Sequence, residues 1–185
     1  MSKENQKQIE AWVLKAQSGD TQAFGALYDF FVKPVYRYLY YRVEQSTAED
    51  LTEETFLKVW QYLPKYKFGK APFGAWIFKI AHNLMVDFYR KNQVLDELTE
   101  DFSDQYDPQH PIHITNLKID QIRVQKAIQT LPPNYQEVIV LKYINELEND
   151  EISEIIGKSE GSIRIIQFRA LKKLKLLLEG IGHSE

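Results

Sequence analysis

Apolar positions along this chain recur every three or four residues, and no segment keeps the strict alternation of a strand, so the pattern predicts helices throughout. The first covers about residues 6–17 and is closed by Ser18-Gly19-Asp20. The second covers about 21–43, with Phe24, Leu27, Tyr28 and Phe31 spaced i, i+3, i+4, i+7, and Pro34 should bend it rather than end it. Ser46-Thr47-Ala48-Glu49 has the Ser-x-x-Glu form of a capping box and should open a third helix, about 47–63, that Pro64 stops. After a basic loop at 65–72, a fourth helix is predicted over about 73–91. Residues 94–117 have no period, many acids, and Pro108 and Pro111, which reads as a linker without a core of its own. Periodicity resumes at about 118–130, stops at Leu131-Pro132-Pro133, and returns over about 134–143, 150–156 and 159–178. The expected architecture is all-α: two small helical domains, residues 1–93 and 118–185, joined by the acidic linker 94–117.

Charge refines that division. The chain has 185 residues with 23 Lys and Arg against 26 Asp and Glu, a net charge of −3 that at first argues against nucleic acid. Residues 1–93 carry 13 basic and 10 acidic side chains, residues 94–117 none and six, and residues 118–185 ten and ten. The sum, +3 −6 +0, recovers −3, so the acidic excess sits in the linker (Asp96, Glu97, Glu100, Asp101, Asp104, Asp107). There is no cysteine, which excludes disulfide scaffolds, thiolate metal sites and thiol catalysis. No apolar run approaches the length that spans a bilayer, and the charged N-terminus lacks the apolar core of a signal peptide, so a cytoplasmic protein without membrane insertion is expected.

Residues 149–174 read as a helix-turn-helix: a short helix, a turn containing Gly157, and a longer basic helix. Ile152 and Ile156 should lock the two helices, with Ser153 as the small residue between them. On the second helix Ile163, Ile166, Ala170, Leu174 and Leu177 share one face. The other face carries Arg164, Ile165, Phe168, Arg169, Lys172 and Lys175, a cationic surface suited to phosphate contact and major-groove reading. Basic residues near a helix C-terminus are also favoured by the helix dipole alone. Ile165 and Phe168 would be wasteful as plain surface and suit thymine methyls or a protein partner.

Nineteen of the 24 aromatic residues precede residue 92. The fourth helix should bury Phe73, Ile77, Ile80, Ala81, Leu84 and Phe88. Its other face shows Trp76, Lys79, Asn83, Val86 and Arg90, just downstream of Lys65, Lys67 and Lys70. Cations interleaved with aromatics and an amide suit single-stranded nucleic acid, through phosphate neutralisation, stacking and hydrogen bonds to a base edge. Phe30, Phe31, Tyr38 and Tyr62 read instead as packing aromatics, and Asp87 as a partner of Arg90 or Lys91. The third helix carries Glu49, Asp50, Glu53 and Glu54 near its start, which suits the dipole and leaves docking of a large partner open. The four histidines (82, 110, 113, 183) lack metal-ligand spacing, apart from His110 and His113 in the linker, and no phosphate loop, nucleophile elbow or paired-carboxylate setting occurs. No catalytic residue, metal or cofactor is expected.

Four ordered segments together carry a more specific signal: residues 20–43, 48–67, 73–91 and 131–175. They resemble a bacterial RNA polymerase sigma factor of the extracytoplasmic-function (ECF) type, which keeps the second and fourth sigma regions. The likeness covers about residues 7–92 and 119–178. It implies that Asp50, Leu51, Glu54, Thr55, Phe56 and Lys58 dock on the clamp helices of the polymerase β′ subunit. It implies that Lys70, Phe73, Trp76, Lys79, Asn83 and Arg90 serve −10 recognition and strand separation, with one base of the unpaired strand held in a pocket. Ser162, Arg164, Ile165, Phe168, Arg169 and Lys172 would read the duplex −35 element, and the 134–143 helix would lie near the β flap. The acidic linker would follow the RNA-exit path, and an anti-sigma partner is the family expectation.

Three departures qualify the likeness. His82 stands where the family usually has Arg, Lys158 replaces an apolar turn residue, and Ile165-Ile166 replace Ser and a basic residue in many members. The −35 sequence is therefore not transferable. The alternatives are a stand-alone helix-turn-helix regulator, whose first domain dimerises or senses a ligand, and an adaptor that binds polymerase without reading DNA.

Overall fold

A computed structural model of the chain describes the backbone of residues 3–69, 71–98 and 116–181, and the side chains of 4–69, 71–92 and 122–179. The order is α1 (Lys3–Gln17), α2 (Thr21–Tyr40), α3 (Gln45–Tyr62), a 3-10 turn (Leu63–Lys65), α4 (Phe73–Leu98), α5 (Asn116–Gln129), α6 (Pro133–Ile139), a π-helical turn (Val140–Ile144), α7 (Asn149–Ile156) and α8 (Glu160–Ile181). All regular structure among the described residues is helical.

Helices α1 to α4 form an N-terminal unit in which α2 packs against α1, α3 and α4. The i, i+3, i+4 pattern of α2 turns Leu27, Phe31, Val35, Tyr38 and Leu39 inward, and the helix passes through Pro34 without ending. Asp20 caps its start by accepting from the N–H groups of Gln22 and Ala23 at 2.9 and 3.1 Å. The side-chain amide of Gln17 donates to the carbonyls of Leu63 and Tyr66, at 3.0 and 2.7 Å, tying α1 to the loop before α4.

Two sequence expectations are corrected here. The capping box at Ser46 and Glu49 is not made: α3 begins earlier, at Gln45, with Glu44 at the cap. Gln45 instead donates to Glu49 across one turn at 2.9 Å. Helix α4 does not end near residue 91 but continues to Leu98, so the first residues of the expected linker, 94–98, are helical. Residues 92–98 include the good helix formers Gln93, Leu95, Glu97 and Leu98 and no Gly or Pro, so nothing in the backbone stops the helix after the apolar period has faded. The rest of the expected linker up to residue 115, with Glu100, Asp101, Asp104, Asp107, His110 and His113, lies outside the described residues.

Helices α5 to α8 form the C-terminal unit, with α6, α7 and α5 against α8. Pro133 opens α6, where a missing N–H costs nothing. Gly157 closes α7 in the left-handed region at φ 69°. The Ser153 hydroxyl donates to the Lys158 carbonyl at 2.7 Å and fixes the turn before α8. A capping contact that the residue pattern did not reveal starts α7, where the Glu148 N–H donates to the Glu151 carboxylate at 2.8 Å. Ile152, Ile155, Ile163 and Ala170 are fully buried, so the expected lock between α7 and α8 is present, with Ile155 added to it and Ile156 only half-buried.

Gly157 and Ile163 separate backbone from packing effects in this module. No atom lies within 4 Å of a Cβ added at Gly157, so Gly157→Ala should cost only the left-handed backbone term, about 1–2 kcal/mol. Ile163→Ala empties a buried site and should cost about 2–5 kcal/mol. Urea unfolding of the two variants should rank them in that order.

Candidate nucleic-acid interface

The outer face of α8 lies open. Arg164, Ile165, Phe168, Arg169 and Lys172 are all exposed, Phe168 at 71%, while Ile163 and Ala170 behind them are at 0%. Ser162 sits in the first turn, its hydroxyl 3.0 Å from that of Ser159, the residue before the helix. The Arg164 guanidinium rests on Glu160 one turn back at 2.7 Å, an exposed pair that a phosphate can replace cheaply. The six residues expected to read duplex DNA therefore share one cationic, partly apolar surface.

Helix α4 divides differently. Asn83, Val86 and Arg90 are exposed, Trp76 is half-buried, and Arg90 pairs with Asp87 at 3.0 Å as expected. Phe73 is 3% exposed, on the inward face as its spacing requires, with its ring 5.0 Å from Tyr66 and 5.9 Å from Phe31, so it supports the loop before α4 from inside and does not lie on the open face. Trp76 lies tilted beside it, with ring centroids 4.8 Å from Tyr66 and 5.3 Å from Phe73. The Lys79 ammonium donates to the carbonyl of Glu154 in α7 at 2.8 Å. Lys70 lies outside the described residues.

Helix α3 needs a larger correction. Asp50 and Glu54 face solvent, and half-buried Lys58 sits 3.6 Å from Glu54. Leu51, Thr55 and Phe56 turn inward, and the Thr55 hydroxyl donates to the Leu51 carbonyl at 2.6 Å. In their place Leu57 and Trp60, one helical turn apart, stand 57% and 44% exposed, and Tyr62, expected to pack, is exposed too. The inward period Ala48, Leu51, Thr52, Thr55, Phe56, Val59 was the signal that could have found this.

A further cluster joins the two units. One carboxylate oxygen of Glu137 in α6 accepts from the Tyr38 hydroxyl at 2.8 Å, Arg42 Nη1 at 3.3 Å and His82 Nδ1 at 2.6 Å. Arg42 Nη1 also donates to the Tyr38 hydroxyl, and Tyr89 donates to the Arg42 carbonyl at 3.0 Å. Burial alone would push the Glu137 carboxyl up, but the His82 hydrogen bond, the Arg42 charge and the Tyr38 hydroxyl together hold it below its ordinary value. Burial pushes the Tyr38 hydroxyl well up, so it stays protonated as a donor. His82, read from sequence as a weakened phosphate contact, is spent on Glu137.

An open cationic helix-turn-helix face, joined to a unit that presents an aromatic, amide and cationic helix, is a DNA-binding arrangement. Residues 27–94 match the family described as Sigma-70 region 2, and residues 121–174 the family described as Sigma-70, region 4. The ECF RNA polymerase sigma factor BldN of Streptomyces coelicolor is 36% identical over 90% of this chain and 64% of its own length. The ECF RNA polymerase sigma factor SigM of Bacillus subtilis is 30% identical over 82% of this chain and 92% of its own length. This chain thus spans just under two thirds of BldN and nearly all of SigM. In fold it is similar to CnrH in complex with the cytosolic domain of CnrY, with TM-score 0.72 and 24% identity over 94% of this chain and 98% of CnrH. It is similar in fold also to the sigma factor RpoE of Bartonella quintana in complex with the anti-sigma factor NepR, with TM-score 0.73 and 22% identity over 84% and 96% of the two chains. Two sigma regions in this order define a sigma-70-type transcription factor. Within that class, the chain belongs to the ECF RNA polymerase sigma factor family. Among the described residues no group of three His, Cys, Asp or Glu could hold a metal, and no helix is long and apolar enough to cross a membrane.

The sign of the pH dependence follows from Glu137. Its folded value lies below the ordinary 4.5, so the unfolded chain takes up the proton first as pH falls. Its contribution is complete above 4.5 and is lost as pH drops through the lower folded value. Melting temperatures measured from pH 7 down to about pH 3 should fall less steeply in Glu137→Gln than in the parent chain.

Proposed function

We propose that this chain directs RNA polymerase core to specific promoters, binding the duplex −35 element through α8 and stabilising the separated −10 strands through α4, without chemistry of its own and in the cytoplasm. The observation that carries this reading is the pairing of two family-matched units, each with a DNA-suited face: exposed Arg164, Ile165, Phe168, Arg169 and Lys172 on one, exposed Lys79, Asn83 and Arg90 beside half-buried Trp76 on the other. Core polymerase would dock on the α3 surface formed by Asp50, Glu54, Leu57, Lys58 and Trp60, where apolar anchors sit within an acidic rim. Partners are therefore polymerase core at the β′ clamp helices and β flap, promoter DNA in duplex and single-stranded form, and an anti-sigma factor by family expectation. A stand-alone regulator is disfavoured, because it has no use for a single-strand surface on α4.

Reconstitution tests the reading: polymerase core supplied with this chain should initiate at a defined set of promoters, found by sequencing transcript 5′ ends. Random or absent starts would defeat it. Asn83→Ala should impair strand opening, read by permanganate reactivity of unpaired thymines, more than duplex binding read by gel shift. Arg169→Ala should weaken binding to promoter duplex and lower the salt slope by about one unit, as one lost phosphate contact requires.

A further inference from the structure

The centre of the open α8 face is apolar. Ile165 and Phe168, three residues apart and so neighbours on one side of the helix, stand 54% and 71% exposed. The polar side chains around them are already engaged within the protein. The Ser162 hydroxyl lies 3.0 Å from that of Ser159, the Arg164 guanidinium donates to Glu160 at 2.7 Å, and the Gln167 amide donates to the Asn149 side chain at 2.7 Å. Arg169 and Lys172 flank the pair as exposed cations. Packing does not force Ile165 and Phe168 outward or inward, because fully buried Ile163 and Ala170 already serve the inner face. One exposed apolar side chain needs no explanation, but two neighbours bordered by cations mark a contact surface.

We propose that Ile165 and Phe168 select thymines at two neighbouring base pairs of the duplex through their 5-methyl groups, while Arg169 and Lys172 hold the phosphates alongside. The proposal rests on the reading of α8 as the duplex-binding helix and adds the chemical group that is read. In the major groove every base pair shows hydrogen-bonding atoms, and thymine alone adds an apolar one, its methyl. Neither Ile165 nor Phe168 can answer a hydrogen-bonding atom, so a cytosine amine pressed against either would lose water without gaining a partner. A thymine methyl at the same place gains apolar contact instead. The spacing fits this use: residues three apart are offset by about 4.5 Å along a helix axis, against about 3.4 Å between successive base pairs. Both side chains fall within the first three turns of α8, the part of a recognition helix that reaches base edges. Sequence is then read by the apolar pair, and the cations contribute affinity that no base change alters.

Selection by the full chain from DNA duplexes randomised over two helical turns should enrich a motif with thymines at neighbouring base pairs. Replacing either thymine by deoxyuridine removes the methyl and leaves every hydrogen-bonding atom in place, and should weaken binding about three- to fourfold. Cytosine at the same position should bind more weakly still, and 5-methylcytosine should recover part of that loss. Ile165→Ala should abolish the deoxyuridine effect at one of the two positions and leave it at the other, and Phe168→Ala should do the reverse, the coupling that direct contact requires. Both side chains are exposed, so the helices should survive truncation, which circular dichroism checks. Lys172→Ala should weaken binding to thymine and deoxyuridine duplexes by one common factor. No enriched motif, a motif without neighbouring thymines, or equal affinity for thymine and deoxyuridine duplexes overturns the proposal. A deoxyuridine penalty that persists unchanged in both alanine variants overturns the assignment to Ile165 and Phe168. Failure of the chain to direct initiation in a reconstituted holoenzyme would reject the sigma reading, while the deoxyuridine series would still decide what α8 reads.

Discussion

A single carboxylate oxygen of Glu137 receives three donors, and all three, Tyr38, Arg42 and His82, belong to the other helical unit. A buried carboxylate is costly unless its hydrogen-bonding capacity is met. Nothing on α6 itself needs to meet it, because the N-terminal unit brings a cation, a hydroxyl and an imidazole to the same point. The ionised state of Glu137 and the contact between the units are therefore one equilibrium seen from two sides. Removing either disturbs the other. The chain at this place is organised around a relationship between its halves, and the local fold of each half does not require it.

That relationship was invisible in the residue pattern for a definite reason. Periodicity reports which face of a helix is apolar, so Leu27, Phe31, Ile77, Ala81, Ile163 and Ala170 could be placed inward from spacing alone. A polar residue carries no such mark. Glu137 stands on a short helix amid apolar neighbours, and its partners lie 99, 95 and 55 residues away. The nearest hint was His82, in a position where a cation was expected. Motif likeness and helical spacing point in different directions at Leu51, Thr55, Phe56 and Phe73, which are all buried. The likeness passed over burial, whereas the i, i+4 spacing of Leu51 and Thr55 on the inward side of α3 already carried that information. Leu57 and Trp60 lie on the outward side of the same helix, since a motif names residue types and the surface depends on which of them turn outward.

Charge shows the same limit at a larger scale. The net of −3 says little about DNA, because the six acids of residues 94–117 outweigh a surplus of three in the N-terminal unit. On α8 the cations occupy the outer face together with Ile165 and Phe168, while Ile163 and Ala170 take the inner one, so the local field there opposes the sign of the whole chain. That field remains weak for a DNA-binding surface. Arg164 is already partnered by Glu160, and Ile165 and Phe168 take up area that a strong non-specific binder would give to Lys or Arg. Affinity from this face alone should be modest and depend on shape and apolar contact as well as phosphate neutralisation.

Modest affinity on the α8 face is consistent with a subunit that relies on a larger partner for most of its hold on DNA. A promoter-reading subunit that bound both duplex and single strands tightly when free would spread over the chromosome, where non-specific sites are in vast excess. Here the seam that engages Lys79 and His82 combines hydrogen bonds and the Glu137 ion pairs with an apolar cluster that runs through both units, and α3 leaves further apolar area open to a docking partner. Leu57 and Trp60 provide apolar area for such docking on α3, a helix that packs directly against α4. A partner seated there would add contact area that the weakly charged α8 face does not supply by itself, so the strength of promoter binding would be set by the assembly and its selectivity by the DNA-facing residues.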